Sequence, residues 1–278
     1  MYGFANLAAG LSRAVRRAVR AEAASAAIRD VGAALLESDC PCCRHPMGSG
    51  RHGACEACWG EIRALPDREC ALCGALTAPP GAAPAPVCAC LAAVSPITGA
   101  AAHGEYAGRL RELIHALKFH DRGRLAIPLG RLAADALERR GLFGRAADAA
   151  IVPVPISRQR LRRRGYNQAE LIAREVGRCL HRETGGRGAL VPALKRAVDG
   201  PPQAGRSRSE RWAAVAGAYA AVESERARIA GRTVLLVDDV LTTGATAREC
   251  ARILGQSGAG EVIVAVVART PAGSGGRD

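Results

Sequence analysis

Two adjacent aspartates, followed by a turn rich in threonine and glycine, could carry the most specific chemistry in this sequence. Asp238 and Asp239 follow four apolar residues, 234–237, and precede the run VLTTGAT. We expect the apolar residues to form a buried strand that delivers both carboxylates to its C-terminal end, where ligands bind in open α/β sheets. Carboxylates placed there accept hydrogen bonds from a vicinal diol or hold Mg²⁺.

The residues after the two aspartates are suited to an anion. A helix is predicted to begin at Ala245, and the free N–H groups and dipole at its start favour a phosphate. Gly244 lets the backbone approach closely, and hydroxyls add neutral donors at Thr242, Thr243 and Thr246. A diol site beside a phosphate cradle describes a ribose 5-phosphate. Helix capping by the threonines and a solvated acidic pair are the alternatives; repulsion between adjacent aspartates at the end of an apolar strand argues against them.

The cysteines form a second chemical group, because nine of the eleven lie between Cys40 and Cys90. Closely spaced thiolates grip one edge of a tetrahedral Zn²⁺, and two such pairs complete a closed, structural site. A redox motif is disfavoured because the sequence lacks the strand-to-helix context. The last pair is one residue short, so we predict one or two zincs; a single zinc with spare thiols and a lost second metal are the alternatives. The predicted ligands are Cys40, Cys43, Cys55, Cys58, Cys70, Cys73, Cys88 and Cys90.

Charge and hydropathy limit the function further. The chain of 278 residues carries 39 basic and 26 acidic residues, and only Lys118 and Lys195 are lysines. A positive excess concentrated in residues 155–211 favours phosphate or nucleic acid, and a solvated arginine-rich face is the alternative. No stretch approaches the roughly 18 uncharged apolar residues of a membrane span. The first 30 residues lack an apolar signal segment, so we expect a reducing, cytoplasmic compartment.

Strand and helix patterns alternate after the cysteines. Helices are predicted over 109–118, 124–140, 167–181 and 245–254, and strands over 151–155, 217–222, 233–237 and 261–268. This alternation predicts an α/β fold with a mainly parallel sheet flanked by helices. The predicted organisation is a helical N-terminal extension (1–38), a double zinc ribbon (39–92), an α/β domain (93–270) that contains a mobile functional loop at 198–211, and a disordered tail (271–278).

The run at 233–246 resembles the motif with which type I phosphoribosyltransferases bind 5-phosphoribosyl 1-pyrophosphate (PRPP). Three further features extend the resemblance: VPVP at 152–155, RGYNQ at 164–168, and the segment 106–119. Together with the cysteine pairs, they resemble the ComF family over roughly residues 35–270. The resemblance implies a type I phosphoribosyltransferase fold with a small N-terminal zinc-ribbon domain, and it implies PRPP and Mg²⁺ as ligands.

The resemblance also implies roles for individual residues. Asp238 and Asp239 would hold the ribose 2′- and 3′-hydroxyls, and the 5-phosphate would be wrapped by Thr242, Thr243, Gly244, Ala245 and Thr246. The turn after Pro155, with Ser157 and Arg158, corresponds to the pyrophosphate loop. The 198–211 segment corresponds to a flexible hood, although Ala214 stands where family members often have asparagine. The catalytic residue is unknown, and its candidates are Arg158, Arg164, Gln168, Gln203 and Arg211.

The function implied is transfer of a phosphoribosyl group to an unknown acceptor, linked to DNA uptake in competence or to nucleotide metabolism. The transfer would pass through an oxocarbenium-like state with pyrophosphate leaving. The alternative is a non-catalytic sensor of PRPP or a nucleotide, or an adaptor that binds single-stranded DNA or competence proteins in transformation. Only nine of the 278 residues are aromatic, so a base-stacking platform is poorly supplied.

Overall fold

The computed structural model describes residues 39–47, 53–66, 70, 97–119, 122–197 and 217–270. The chain divides into two compact units, Met1–Cys55 and Glu56–Asp278. In the first unit the described residues form a tight turn, in which the N–H of Cys40 donates to the carbonyl of His45 and the N–H of Arg44 donates to the carbonyl of Cys40. Arg44 has a left-handed φ of 61° at this turn.

In the second unit, the described helices are α1 (Glu56–Gly60), α2 (Gly108–Phe119), α3 (Ala126–Arg139), α4 (Phe143–Ala146), α5 (Arg158–Arg164), α6 (Gln168–Thr184), α7 (Arg226–Ile229) and α8 (Ala245–Gln256). The described strands are β1 (Ile97–Glu105), β2 (Ala150–Pro153), β3 (Ala189–Leu190), β4 (Leu194–Arg196), β5 (Tyr219–Ala221), β6 (Thr233–Leu241) and β7 (Glu261–Arg269). Short 3₁₀ turns occur at Gly123–Leu125 and Glu223–Glu225.

Five strands form one sheet in the order β1-β7-β6-β2-β3. Every neighbouring pair in it is parallel. Strands β4 and β5 form a separate antiparallel pair. The parallel arrangement places the carboxyl ends of β2 and β6 at the same edge of the sheet, which is where α/β folds bind ligands.

Both faces of the sheet are covered, because alternate residues of the central strand are buried on opposite sides. Val234 and Leu236 of β6 pack in one core cluster with Cys250 and Leu254 of α8. Leu235 and Val237 are also fully buried. A strand that is buried on both faces needs apolar residues at nearly every position, which accounts for the near-continuous apolar sequence of β7.

The sequence located most elements of the second unit. The predicted helices correspond to α2, α3, α6 and α8, and the strands predicted at 151–155, 233–237 and 261–268 correspond to β2, β6 and β7. These predictions, and the mainly parallel α/β sheet, are confirmed.

Four details were wrong or missed. Strand β6 continues to Leu241 because Val240 and Leu241 still pair with β7, so the two aspartates lie inside the strand rather than at its end. The predicted turn after Pro155 becomes helix α5 from Arg158 onward. The strand predicted at 217–222 shortens to β5, and it pairs with β4 outside the main sheet. Strand β1 was not predicted.

Several predictions lie outside the described residues. They are the N-terminal extension at 1–38, the segment that carries Cys73, Cys88 and Cys90, the loop at 198–211 and the tail at 271–278. No helix in the described ranges is long and apolar enough to cross a membrane.

Candidate functional site

A cleft lies at the carboxyl edge of the sheet, beside the ends of β2 and β6. It encloses about 810 Å³, open solvent included. Four of the predicted ligand-binding residues line it: Asp238, Asp239, Thr242 and Thr246. Two candidate catalytic residues, Arg164 and Gln168, line the opposite side. The fold therefore brings the acidic pair, the threonine turn and part of the arginine-rich segment to one place.

Asp239 is buried at the base of this cleft and forms an ion pair with a lysine. Its Oδ1 lies 2.9 Å from Nζ of Lys118, which projects from the last turn of α2. The same ammonium lies 5.9 Å from the centre of the Tyr106 ring. Burial disfavours the charged lysine, but Asp239 and Asp238 outweigh it and raise the pKa of Lys118. The other carboxylate oxygen of Asp239, Oδ2, is buried without a hydrogen-bond partner among the described residues.

Asp238 occupies a different environment, because successive strand residues point to opposite faces. It borders a second, smaller cavity together with Thr242, Gly244 and Thr246. Its Oδ1 accepts a hydrogen bond of 2.8 Å from the N–H of Asp239. Burial, followed by the adjacent negative charge of Asp239, raises the pKa of Asp238 to about 7. The pair is thus chemically unequal: one carboxylate is paired with lysine and the other is held in its neutral form up to about neutral pH.

The turn between β6 and α8 presents the start of a helix to the cleft. Gly244 is the N-cap residue with a left-handed φ of 75°, and it has no side chain with which to cap the helix. The first N–H groups of any helix lack intrahelical partners. One of them, the N–H of Ala245, has a long contact of 3.4 Å to Oγ1 of Thr243. The predicted capping alternative therefore accounts for only one donor, and the turn retains the character of an anion cradle.

Helix α5 supplies positive charge at the other side of the cleft. Ser157 caps this helix by accepting a hydrogen bond of 3.2 Å from the N–H of Arg160. Arg160 and Arg164 line the cleft, whereas Arg158 does not. Arg164 is buried, and it donates a hydrogen bond of 2.6 Å to Oε1 of Gln168.

The positive charge of the Arg164 guanidinium is only partly compensated by its neighbours. Burial, together with the like charges of Arg160 and Arg163, lowers its pKa although Asp239 opposes this effect. Its Nε is buried without a hydrogen-bond partner in the described part of the chain. A buried, incompletely paired guanidinium is suited to an anionic ligand.

Asn167 connects the arginine-rich segment to the sheet. Its side-chain oxygen accepts a hydrogen bond of 3.0 Å from the N–H of Ala169 and so caps α6, while its Nδ2 donates to the carbonyl of Val154 beyond β2. Capping is therefore the role that the described contacts support for Asn167. Gln203 and Arg211, the remaining candidates, lie outside the described residues.

Three of the residues that line the cleft were not predicted from the sequence as site residues, and neither was Lys118. Tyr106, Arg196 and Tyr219 all line the cleft. Arg196 donates a hydrogen bond of 3.1 Å to the hydroxyl of Tyr219, and burial raises the pKa of Tyr219 to about 12. Rarity was the signal that could have found Tyr106, Tyr219 and Lys118, because the chain has only four tyrosines and two lysines. Arg196 has no such signal, because arginine is abundant in this chain.

The cysteine-rich segment contains a compact cluster. One sulfur atom from each of Cys40, Cys43, Cys55 and Cys58 lies within 4.8 Å of the others. The N–H of Cys55 lies 3.5 Å from the sulfur of Cys40 and donates to it. Burial alone would raise the pKa of the Cys40 thiol, but backbone N–H groups, among them those of Cys43 and Cys55, lower it to about 6.

Four convergent sulfurs with N–H groups directed at one of them fit a tetrahedral zinc site. The structure thus joins the first two predicted cysteine pairs, and the cluster is consistent with a small zinc-ribbon domain. Cys70 is buried and stands outside this group of four. Its predicted partners Cys73, Cys88 and Cys90 lie outside the described residues, so the second zinc site stays a prediction.

Comparison with known proteins gives consistent results. The family model for the phosphoribosyl transferase domain matches residues 163–277. The chain is 31% identical over 232 residues to the DNA utilization protein YhgH of Escherichia coli K12, covering 83% of this chain and 96% of that protein. It is 30% identical over 232 residues to competence protein F of Haemophilus influenzae, with the same coverage. The competence protein ComFC of Bacillus subtilis is 29% identical over 108 residues, covering 39% of each chain.

Proposed function

This chain belongs to the ComF family, and on that premise we propose that its α/β domain binds PRPP with Mg²⁺ and transfers the phosphoribosyl group to an acceptor. The domain is proposed to span residues 93–270, after a zinc ribbon at 39–92. The relatives are named for DNA utilization and competence, so we place the activity in the handling of DNA that a cell takes up. The cysteine thiolates favour a reducing compartment, which supports the cytoplasm.

Two unpaired buried atoms carry this proposal. Oδ2 of Asp239 and Nε of Arg164 have no partner among the described residues, and both residues line the same cleft. An unpaired buried polar atom is costly, so a protein retains one where a ligand pairs with it. Oδ2 requires a hydrogen-bond donor such as a ribose hydroxyl, and Nε requires an acceptor such as a phosphate oxygen. A phosphorylated ribose supplies both.

The proposed positions of the two phosphate groups follow from this placement of the ribose. The 5-phosphate is proposed to occupy the turn at the start of α8, where Thr242, Thr243, Gly244, Ala245 and Thr246 supply N–H and hydroxyl donors. The pyrophosphate is proposed to lie toward α5, held by guanidinium groups and by the backbone at the start of α5 (Ser157–Arg158), because the side chain of Arg158 does not line the cleft. Arg164 and Arg160 line that side of the cleft. Their positive charge stabilises the leaving group as the bond to the anomeric carbon breaks.

Magnesium would supply further charge neutralisation on the pyrophosphate. Mg²⁺ is commonly bound by one or two carboxylates together with substrate phosphates and waters. Asp238 lines the cleft. It is proposed to bind a ribose hydroxyl, and it is also the carboxylate that would be available to such an ion. The protein's own residues bind the ribose and phosphates, orient the anomeric carbon toward the acceptor, and hold the arginines beside the leaving group.

A second function, binding of single-stranded DNA, is favoured by a basic and aromatic surface on α5 and α2. Most helical arginines pair with a neighbouring acid, as Arg174 does with Glu170. By contrast, no acidic side chain in the described residues pairs with Arg158, Arg160, Arg162 or Arg163.

Beside these arginines lies an exposed aromatic ring. Phe119 is 47% exposed, and the guanidinium groups of Arg163 and Arg164 lie 5.8 and 4.9 Å from the centre of its ring. Leu161, 44% exposed, adds a second apolar side chain to the same helix. Exposed arginines bind phosphates and an exposed ring stacks unpaired bases, so this surface has the chemistry of a single-strand binder.

One experiment separates the two functions. The full-length protein is incubated with Mg²⁺ and PRPP across a panel of bases and amines, and pyrophosphate release is measured. Release that depends on one acceptor supports the transferase. PRPP binding without turnover, together with salt-sensitive affinity for single-stranded DNA, supports the adaptor.

The control variants are matched in chemistry. Asp239→Asn should lose PRPP binding, whereas Asp148→Asn should retain it, because Asp148 is exposed and precedes β2 at the opposite edge of the sheet. Absence of PRPP binding in the wild-type protein would overturn the proposal.

A further inference from the structure

Lys118 is fixed at the base of the cleft by the end of helix α2. The hydroxyl of Tyr166 donates to the carbonyl of Leu117, which anchors the last turn of the helix. The ammonium then reaches Oδ1 of Asp239 at 2.9 Å, with only 17% of the lysine side chain exposed. The C-terminal end of a helix also favours a positive charge. The ammonium group of Lys118 is therefore held in a fixed, buried ion pair with Asp239, unlike a lysine in an exposed surface ion pair.

The ion pair changes what Asp239 can bind. A divalent cation at this carboxylate would be placed beside an ammonium group that already compensates the negative charge, and the two cations would repel each other. A neutral hydroxyl meets no such repulsion. Sugar hydroxyls both donate and accept hydrogen bonds. The unpartnered Oδ2 of Asp239 can accept from the hydroxyl, and the remaining protons on Lys118 can donate to it.

We propose that Lys118 sets the ligand preference of the cleft, so that Lys118 and Asp239 together bind one sugar hydroxyl and exclude a divalent cation from Asp239. The proposal deepens the proposed function and rests on it, because it assigns the residues that recognise the sugar in PRPP. Lys118 contacts the sugar itself, through the same hydroxyl that Asp239 binds. Any Mg²⁺ that accompanies the substrate is held away from Asp239, on the pyrophosphate side of the cleft.

The first test measures sugar binding without metal. Ribose 5-phosphate is titrated calorimetrically into the full-length protein in a buffer without added Mg²⁺ or Mn²⁺. The wild-type protein should bind it, and Lys118→Met should weaken binding by about 10- to 100-fold because it removes a charged hydrogen-bond donor. Lys118→Arg keeps the charge and should retain most of the affinity. The phosphates of arabinose and xylose, epimers of ribose at C2 and C3, identify the hydroxyl, because Lys118→Met should lose the wild-type discrimination against one of them.

The second test measures metal binding without sugar. Mn²⁺ prefers the same oxygen ligands as Mg²⁺ and can be followed by its paramagnetic resonance signal. Lys118→Met should bind at least one more Mn²⁺ than the wild-type protein does, because the carboxylate of Asp239 is left uncompensated. Adding Asp239→Asn to that variant removes the uncompensated charge and should abolish the extra ion. Lys195→Met is the control, because Lys195 is the other lysine of the chain and is exposed.

The outcomes separate this inference from the proposed function. Wild-type protein that binds neither PRPP nor ribose 5-phosphate would refute the proposed function, while the Mn²⁺ comparison still decides the role of Lys118. The role of Lys118 is overturned by Lys118→Met gaining no Mn²⁺, or by wild-type protein needing Mg²⁺ to bind ribose 5-phosphate.

Discussion

Replacing Asp238 with asparagine should stabilise the protein, and the gain should grow as the pH rises. Burial and the adjacent Asp239 raise the pKa of Asp238 from 3.8 to about 7. The stability associated with its protonated form is therefore present below about pH 4 and is lost as the pH rises through 7. Asparagine has nearly the same shape and stays neutral, so the variant escapes this loss.

The size of the effect follows from the pKa. One pKa unit corresponds to about 1.4 kcal/mol, so full ionisation of Asp238 costs about 4 kcal/mol in the folded state. At pH 5 the cost is about 2 kcal/mol because the folded carboxyl is still protonated. The advantage of Asp238→Asn should therefore increase by about 2 to 3 kcal/mol between pH 5 and pH 8.

Urea unfolding of the wild-type and variant proteins at the two pH values measures this increase. Other groups that titrate in this range are the same in both proteins and cancel in the difference. Because Asp238 is proposed to bind ribose, the stabilised variant should also lose affinity for PRPP. If the variant exceeds the wild-type protein in unfolding free energy by the same amount at pH 5 and at pH 8, the claim that the pKa of Asp238 is raised in the folded state is refuted.

Four further changes test other parts of the account. Asp239→Asn should lower the free energy of unfolding by about 3 kcal/mol, because it leaves Lys118 buried without its partner, and calorimetry should show weaker PRPP binding at unchanged zinc content. Gly244→Ala should cost about 1 to 2 kcal/mol through its φ of 75° alone, since the added Cβ would lie 3.9 Å from its nearest neighbour, Cζ of Arg248. PRPP affinity should fall as well, and an unchanged affinity would exclude this turn as the phosphate site. Cys58→Ser should remove one zinc per chain in elemental analysis, and an unchanged ratio would contradict the four-cysteine site. Phe119→Ala should weaken single-stranded DNA binding by about tenfold and Phe119→Trp should restore it.

The region around the acidic pair could be predicted from the sequence because its signals are local. A buried strand, two carboxylates, a glycine turn and a helix follow one another without interruption, so one short run defines both structure and chemistry. The first two cysteine pairs could also be predicted from the sequence, because each pair has the spacing of a zinc knuckle. Gly244 also lies directly before α8, as the helix start predicted at Ala245 requires.

The partner of Asp239 could not be predicted, because Lys118 is distant in the sequence and meets it only after the fold has formed. Arg196 was missed because its neighbours in the chain form no motif, and Tyr106 was noted only as part of the segment 106–119 that carries the family resemblance. Strand β1 is rich in alanine and glycine, and its burial comes from pairing with β7 rather than from its own composition. Helix α5 lacks an apolar face, and its only local signals are the cap at Ser157 and the left-handed Gly165 at its end.

A structure of the protein crystallised with PRPP and Mg²⁺ tests the central claim most directly. The account predicts the ribose against Asp238 and Asp239, the 5-phosphate at the turn from Thr242 to Thr246, and the pyrophosphate toward Arg164. Density for the sugar phosphate at any other place, or a cleft that stays empty at saturating PRPP, would contradict it.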